Sequence, residues 1–496
     1  MITIENTILK KQKNFWNSCL FHPTDAIEDP WGKRILDRIS SDGAIRTVRI
    51  YTMFEDIVYT DENGMLCYDF RLSDLRIDYL IEKGFDLLLA YAGIPDCIAS
   101  SNDDKTSNSK NKTRYKGKLW NASEPRDYTL WEEICYTYTK HLVERYGVET
   151  VSKWRLQCFN EPDIHNFFLS GYPSTLENTM KYRLPAYCKL YEAFAKGISC
   201  VSDKLQIGGP ALAAYYEFLG GFLDYVKEHT LKLDFISVHN YGTHPNLLTS
   251  GKKPVSVQNN IDIHRRALET VKEHGFGHLP MLVDEWGFSS CGFYNREECP
   301  ALMIRETEQF SAYFVKLIHD FIRADFHVDM LCICLSGQHE MTEDFSGFRN
   351  FFTMNFFAKP IYNAYILASR LYENLLSCHC DNDNVCVIPT RSEQNQYRIL
   401  LAYSAEHFEE TLSPVCETIA LPPEARGKTV TLYRIDRNTT NPYRLYEKMG
   451  LTPALSDDEI KLLRGEGRLC PIDTFAAADT LTLELTANSV CMIEIS

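Results

Sequence analysis

Two glutamates end short apolar runs in settings that could carry paired-carboxyl chemistry. Glu161 lies in Gln157-Cys158-Phe159-Asn160-Glu161-Pro162, and Glu285 in Leu282-Val283-Asp284-Glu285-Trp286-Gly287. Two carboxyl groups flanking one bond can cleave a glycosidic linkage: one protonates the leaving oxygen, and the other attacks the sugar or activates water. A glutamate at a strand end is ordinarily just solvated, and Asn-Glu-Pro by itself recurs by chance. The weight lies in the two standing at corresponding places. Asp284 competes with Glu285 for the second role. Successive strand residues point to opposite sides, so only one of them is expected to face the site.

The elements that would position these groups alternate along the first three quarters of the chain. Runs rich in β-branched and aromatic residues read as strands at Phe15–Leu20, Thr47–Tyr51, Asp86–Tyr91, Trp154–Phe159, Leu205–Gly208, Phe235–His239, Met281–Asp284 and Met330–Leu335. Helical patterns lie between them, such as Thr129–Tyr146, with Leu130, Ile134, Tyr138 and Leu142 on one face, and Ala301–Ala324, striped by Phe310, Phe314, Leu317 and Phe321. Such alternation implies a parallel sheet, and eight units predict an α/β fold of the (β/α)8 TIM barrel type. Glu161 and Glu285 then end strands four and seven at the face where barrel loops build sites.

The pattern changes after a helix around Pro360–Leu376. Val385–Pro389, Tyr397–Ser404, Glu417–Leu421, Thr429–Ile435, Thr480–Leu485 and Val490–Ile495 read as strands, with turn signals at Pro422-Pro423 and Gly465-Glu466-Gly467. The expected organisation is a catalytic barrel over 7–376 and an antiparallel β-sandwich over 377–496, to which Met1–Asn6 supplies an added strand. Ser101–Lys112 reads as a polar loop. Trp120, after strand three, is either a sugar platform or loop packing.

With 52 basic and 67 acidic residues the net charge is −15, and no Lys/Arg-dense stretch offers a face for nucleic acid or an anionic membrane. A neutral substrate is the natural match. No apolar run approaches the length of a membrane span. Met1–Asn6 has no signal-peptide pattern, so the 17 cysteines read as free thiols of a cytoplasmic protein. Cys378-His379-Cys380 with Cys386 lacks the spacing of a zinc finger or ribbon. His239, His244 and His339 lack the companion His-x-His on strand one, where Trp16-Asn17-Ser18-Cys19 stands. No metal or cofactor is expected.

Taken in order, the motifs resemble the clan of retaining barrel glycosidases, and within it glycoside hydrolase family 39, the family of β-xylosidases and α-L-iduronidases. The similarity covers nearly the whole length. It runs through Asp78–Ser100, Trp131–Trp154 with Tyr146-Gly147-Val148-Glu149, Gly208-Gly209-Pro210-Ala211, Phe348–Leu376 with Lys359-Pro360 and Tyr362, and Leu481–Ile495.

The resemblance implies a retaining exo-glycosidase with Glu161 as acid/base and Glu285, rather than Asp284, as nucleophile. It implies that Asn160 bonds the sugar 2-hydroxyl and that His239 and Tyr241 lie near nucleophile and sugar. Arg49, Tyr51 and Trp286 complete the expected substrate-binding set. The chain departs from the family at Phe159, usually Trp, and at Asp163, usually Asn. Ile50-Tyr51 follows Arg49 where His-Gly is usual, Ala90 replaces a carboxylate, and Cys332-Ile333-Cys334-Leu335 lacks a Trp. A β-xylosidase-like enzyme with an altered sugar pocket is therefore expected. A β-galactoside, an arabinopyranoside or a uronide is the alternative substrate, and a non-catalytic sugar-binding homologue the alternative class. The partner is a small carbohydrate, with a homo-oligomer allowed.

Overall fold

The computed structural model describes residues 1–496 apart from 22–26, 28, 104, 107–119, 291–293, 295, 336–340, 342 and 409. Most of the Ser101–Lys112 tract, His339 and the Trp120 side chain therefore lie outside the described residues.

Eight parallel strands close a barrel: Ser18–Leu20, Thr47–Tyr51, Asp86–Tyr91, Arg155–Cys158, Gln206–Leu212, Phe235–Thr243, Met281–Ser289 and Met330–Cys334. Each pairs with its neighbours in the sequence of strands, and strand eight returns to strand one through Cys332↔Ser18. The strands are buried on both faces, as Leu87, Leu88 and Leu89 show, because helices cover the outside. Strands six and seven run to nine residues, which carries His239, Tyr241 and Glu285 into the mouth.

Helix boundaries follow capping chemistry. The Phe stripe predicts one helix over Ala301–Ala324. The chain instead divides into a 3-10 turn, Pro300–Glu306, and an α-helix, Glu308–Arg323. Thr307 between them is extended, and its hydroxyl accepts from the Gln309 N–H. That satisfies one of the orphan donors at a helix start.

Two short pairs, Val58–Thr60 with Leu66–Tyr68 and Lys105–Thr106 with Trp120–Asn121, stand apart, and the other nine strands form one continuous, curled sheet. Its order is Asp473–Ala476, Thr429–Ile435, Ser489–Ile495, Tyr397–Tyr403, Val385–Arg391, Asn374–Cys380, Ile2–Lys11, Val415–Ala420, Thr480–Leu485. The leading strand is longer than the Met1–Asn6 expected. It pairs antiparallel with Asn374–Cys380 on one side and parallel with Val415–Ala420 on the other. Two helices, Pro442–Lys448 and Asp457–Glu466, interrupt the sheet sequence, and Tyr443, Tyr446 and Leu463 pack on Phe345 and Phe357 of the segment after barrel strand eight. Sixteen described cysteines are free. Among the described residues no helix is long and apolar enough to cross a membrane.

Candidate active site

Arg49 organises the barrel mouth. It is fully buried, and its planar guanidinium presents several donors in a fixed fork. Nη1 donates to Glu285 Oε1 at 2.7 Å, and Nη2 to Asn160 Oδ1 at 2.8 Å. Nε and Nη2 donate to Gln157 Oε1 at 3.0 and 2.8 Å. Asp284 Oδ2 lies 3.1 Å from Nη2. Tyr51, two residues on and therefore on the same strand face, donates to Glu285 Oε1 at 3.1 Å. Tyr241 donates to Glu285 Oε2 at 2.7 Å.

Glu161 comes just past strand four, in a left-handed backbone conformation with φ 46°. Its N–H donates to Ala211 O at 3.1 Å, which ties it to strand five. His239 Nδ1 lies 2.8 Å from Glu161 Oε1. Nε2 of the same ring lies 3.5 Å from Asp284 Oδ2 and 3.6 Å from Glu285 Oε1. One carboxylate oxygen of Glu161, one of Glu285 and a His239 nitrogen are all within 4.8 Å of one another.

The two glutamates sit in opposite electrostatic settings. Burial disfavours the charged form and raises Glu161, with His239 only partly opposing it. Burial also opposes the Glu285 charge, but His239, Arg49 and the Tyr241 hydroxyl outweigh it and hold Glu285 at about 2. His239 is raised well above the usual imidazole range: Glu285, Asp284 and Glu161 favour its cation more than burial opposes it. Burial, reinforced by the Glu285 charge, raises the hydroxyls of Tyr51 and Tyr241, so both remain donors.

Of the expected residues, the structure brings Glu161, Glu285, Asn160, His239, Tyr241, Arg49 and Tyr51 together. Trp286 is a correction. It follows Glu285 and points the other way, stacked on Phe314 at 5.9 Å with its ring N–H donating to Tyr365 Oη at 3.1 Å. Asp284 is a second correction. Val238 pairs with Val283 and His239 with Glu285, so Asp284 is the extra residue of a β-bulge, which breaks strict alternation. Both carboxylates consequently face the mouth, Asp284 deeper, with Gln157 Nε2 donating to its Oδ2 at 2.8 Å.

Two contributors escaped the sequence reading. Gln157 stands two and four residues before Phe159 and Glu161, and the alternation rule alone could have placed it inward. Arg349 donates from Nη1 to Tyr241 Oη at 3.3 Å and to Cys334 Sγ at 3.1 Å. It lies in the long segment after strand eight, where no periodicity marks it. His244, weighed earlier as a metal ligand, caps the helix Pro245–Thr249. One other cluster of ligand-type groups, His319, Asp320 and Cys386, is already crossed by the Lys316 ammonium, 2.9 Å from Asp320 Oδ2.

A closed parallel barrel with two unlike carboxyl groups at its mouth is the apparatus of a glycoside hydrolase, and comparison with known proteins gives the family. Residues 2–468 match the family model "Glycosyl hydrolases family 39", and the chain belongs to that family. A β-xylosidase of Caldicellulosiruptor saccharolyticus is 25% identical over 477 residues, covering 92% of this chain and 88% of the relative. An α-L-iduronidase of Canis lupus familiaris is 25% identical over 276 residues, 50% of this chain and 37% of the relative. In fold, a monomeric β-xylosidase from Caulobacter crescentus CB15 superposes with a TM-score of 0.83 at 20% identity, covering 100% of this chain and 99% of the other. The chain is a glycoside hydrolase, and its substrate is a carbohydrate.

Proposed function

We propose that this enzyme is a retaining exo-glycosidase that works by double displacement. Glu285 attacks the anomeric carbon while Glu161 protonates the leaving oxygen. Forming the glycosyl ester removes the Glu285 charge, and with it the repulsion that adds to burial in raising Glu161. Glu161 can then take a proton from the incoming water. The observation that carries this reading is the contrast within one short approach. Carboxylate oxygens within 4.8 Å fit the about 5–5.5 Å separation of retaining pairs rather than the roughly 6.5–9.5 Å that leaves room for water. One partner is raised and the other is held at about 2. Asn160 Nδ2 is buried with no hydrogen-bond partner among the described residues, a donor available to the sugar 2-hydroxyl.

On this reading 7–376 is the catalytic unit, and 377–496 with the leading strand is an accessory unit carrying no catalytic group. The enzyme acts in the cytoplasm on imported glycosides, which the free thiols support. The departures around the pocket, Tyr51, Ala90, Phe159 and Cys334, favour a sugar other than xylose. A uronide is the second reading, favoured by the cationic Arg349 beside Tyr241.

Chemical rescue tests the roles. With Glu285→Ala, azide enters from the vacated face and yields a glycosyl azide of inverted configuration. With Glu161→Ala and a dinitrophenyl glycoside, azide accelerates the second step and the product retains configuration. Products of the same configuration from both variants would overturn the assignment. A panel of nitrophenyl glycosides tests the pocket, with weak turnover expected on β-xyloside. Unpaired polar groups in a mismatched sugar pocket cost several kcal/mol. A strong kinetic preference for β-xyloside over every other glycoside would remove the claim of an altered pocket.

A further inference from the structure

Asp163, two residues beyond Glu161, is fully buried yet takes no part in the carboxylate cluster. Its Oδ1 accepts from the Ala213 N–H at 2.9 Å, and its Oδ2 accepts from Ala214 and Tyr215 at 2.7 and 3.0 Å. Both oxygens accept, as an ionised carboxylate does, and all three donors are successive backbone amides just past strand five. The Asp163 carbonyl in turn accepts from the Thr179 hydroxyl at 2.9 Å. The side chain thus stitches the loop after strand four to the loop after strand five.

The stitch lies next to unusual backbone. Phe159, Glu161 and Ala211 have φ values of 66°, 46° and 56°, a region that non-glycine residues rarely enter. Such conformations persist only where the surroundings over-determine them. Glu161 and Ala211 face one another through the Glu161 N–H to Ala211 O bond of 3.1 Å. Immediately beyond this strained pair, the three amide bonds to Asp163 close the same two loops. Glu161 is further held by its own carbonyl, which accepts from the Ile164 N–H at 3.3 Å, and its carboxyl meets His239.

We propose that Asp163 is a positioning residue for the glycosidase reaction, its amide-clamped carboxylate holding the loop after strand five against the strained corner that aims Glu161. The inference rests on the reading of Glu161 as acid/base. A second effect accompanies the mechanical one. The groups facing Glu161 among the described residues are His239 from strand six, Glu285 from strand seven, Tyr51 from strand two and Asp163 from its own loop. The Asp163 charge is one of those that raise Glu161. Removing it favours ionised Glu161 at lower pH.

Asp163→Asn keeps the shape but turns one acceptor into a donor aimed at an amide, and Asp163→Ser removes the clamp. Both are made in the full chain, and melting temperature is recorded beside kinetics. With a poor leaving group, kcat falls on the order of tenfold to a hundredfold for a misaimed group, KM moves little, and the basic limb of the pH profile shifts to lower pH. With a dinitrophenyl glycoside, whose first step needs little protonation, the loss in kcat/KM is small. Adding Asp163→Asn to Glu161→Ala produces no further loss, since residues acting through one another are non-additive. If Asp163→Ser does not fold, the Asn variant and the double variant carry the test. Equal losses on both leaving groups, an unmoved basic limb, or full additivity with Glu161→Ala would overturn the proposal. Failure of the underlying reading is separate: Glu161→Ala alone would then lose kcat/KM equally on good and poor leaving groups.

Discussion

Glu161 is fixed mainly through its backbone, in a left-handed turn, and its carboxyl meets His239 alone among the described residues. Glu285 stands within strand seven, just past the bulge at Asp284, and its carboxyl is caged by Arg49, Tyr51 and Tyr241. Main-chain holding leaves a carboxyl short of donors, so burial dominates and the proton is held more tightly. Side-chain caging supplies donors and cations, so charge persists despite burial. Unlike acid–base character thus arises from where each residue's constraints are applied, with the same side-chain chemistry in both places.

The largest expected effect breaks the bare side of the comparison. Glu161→Ala should lower kcat/KM for poor leaving groups by about 10²–10⁴-fold, the usual size of general-acid assistance, and far less for dinitrophenyl glycosides. Measuring kcat/KM, which reports the first step, across a leaving-group series checks this, and a uniform loss would mean that Glu161 is not the acid.

Tyr241→Phe opens the cage. A hydrogen bond to a charged group is worth about 1.5–3 kcal/mol, or roughly one to two pKa units at 1.36 kcal/mol per unit. On the proposed double displacement Glu285 attacks as the anion, so the acid limb of kcat/KM should move up in the variant. The cage also bears on stability. Glu285 is held at about 2 against an ordinary 4.5, so its ionisation stabilises the fold above about pH 4.5 and this contribution fades as pH falls through 2. Melting temperature across that window should fall less steeply in Tyr241→Phe. An unmoved acid limb would show that Tyr241 does not set the charge of Glu285.

The smallest catalytic effect is expected at Trp286, adjacent to Glu285 but outside the cage. Trp286→Phe should leave KM near its starting value and instead lower the melting temperature, since the indole packs on Phe314 and donates to Tyr365. A large rise in KM with unchanged stability would return Trp286 to the pocket.

The barrel and the carboxylate pair were legible because both rest on periodicity. Buried strands alternate with amphipathic helices, and site residues gather where strands end. The parts that were not legible depend on departures from periodicity. The bulge at Asp284 turns a residue inward that alternation assigns outward. Left-handed φ at Glu161 and Ala211 has no glycine to announce it. Arg349 reaches Tyr241 from a segment with no regular pattern. The helix at Pro442–Lys448 is short and rests on the barrel, so its formation owes more to tertiary packing than to local propensity, whereas Asp457–Glu466 carries a capping box, Ser456 with Glu459, a local signal that the reading passed over.

The place of Ile2–Lys11 between Asn374–Cys380 and Val415–Ala420 has a consequence for assembly. This segment leaves the ribosome before the barrel, yet its partners are made only after it. Until they arrive it is an unpaired ribbon with Ile8 and Leu9 exposed even in the finished fold. Once it is seated, it joins six strands on one side to two on the other. Its loss would open two raw sheet edges at once, the kind of surface on which chains add to one another. Seating the segment therefore closes both edges, which the barrel's closed ring cannot do for the sheet beside it.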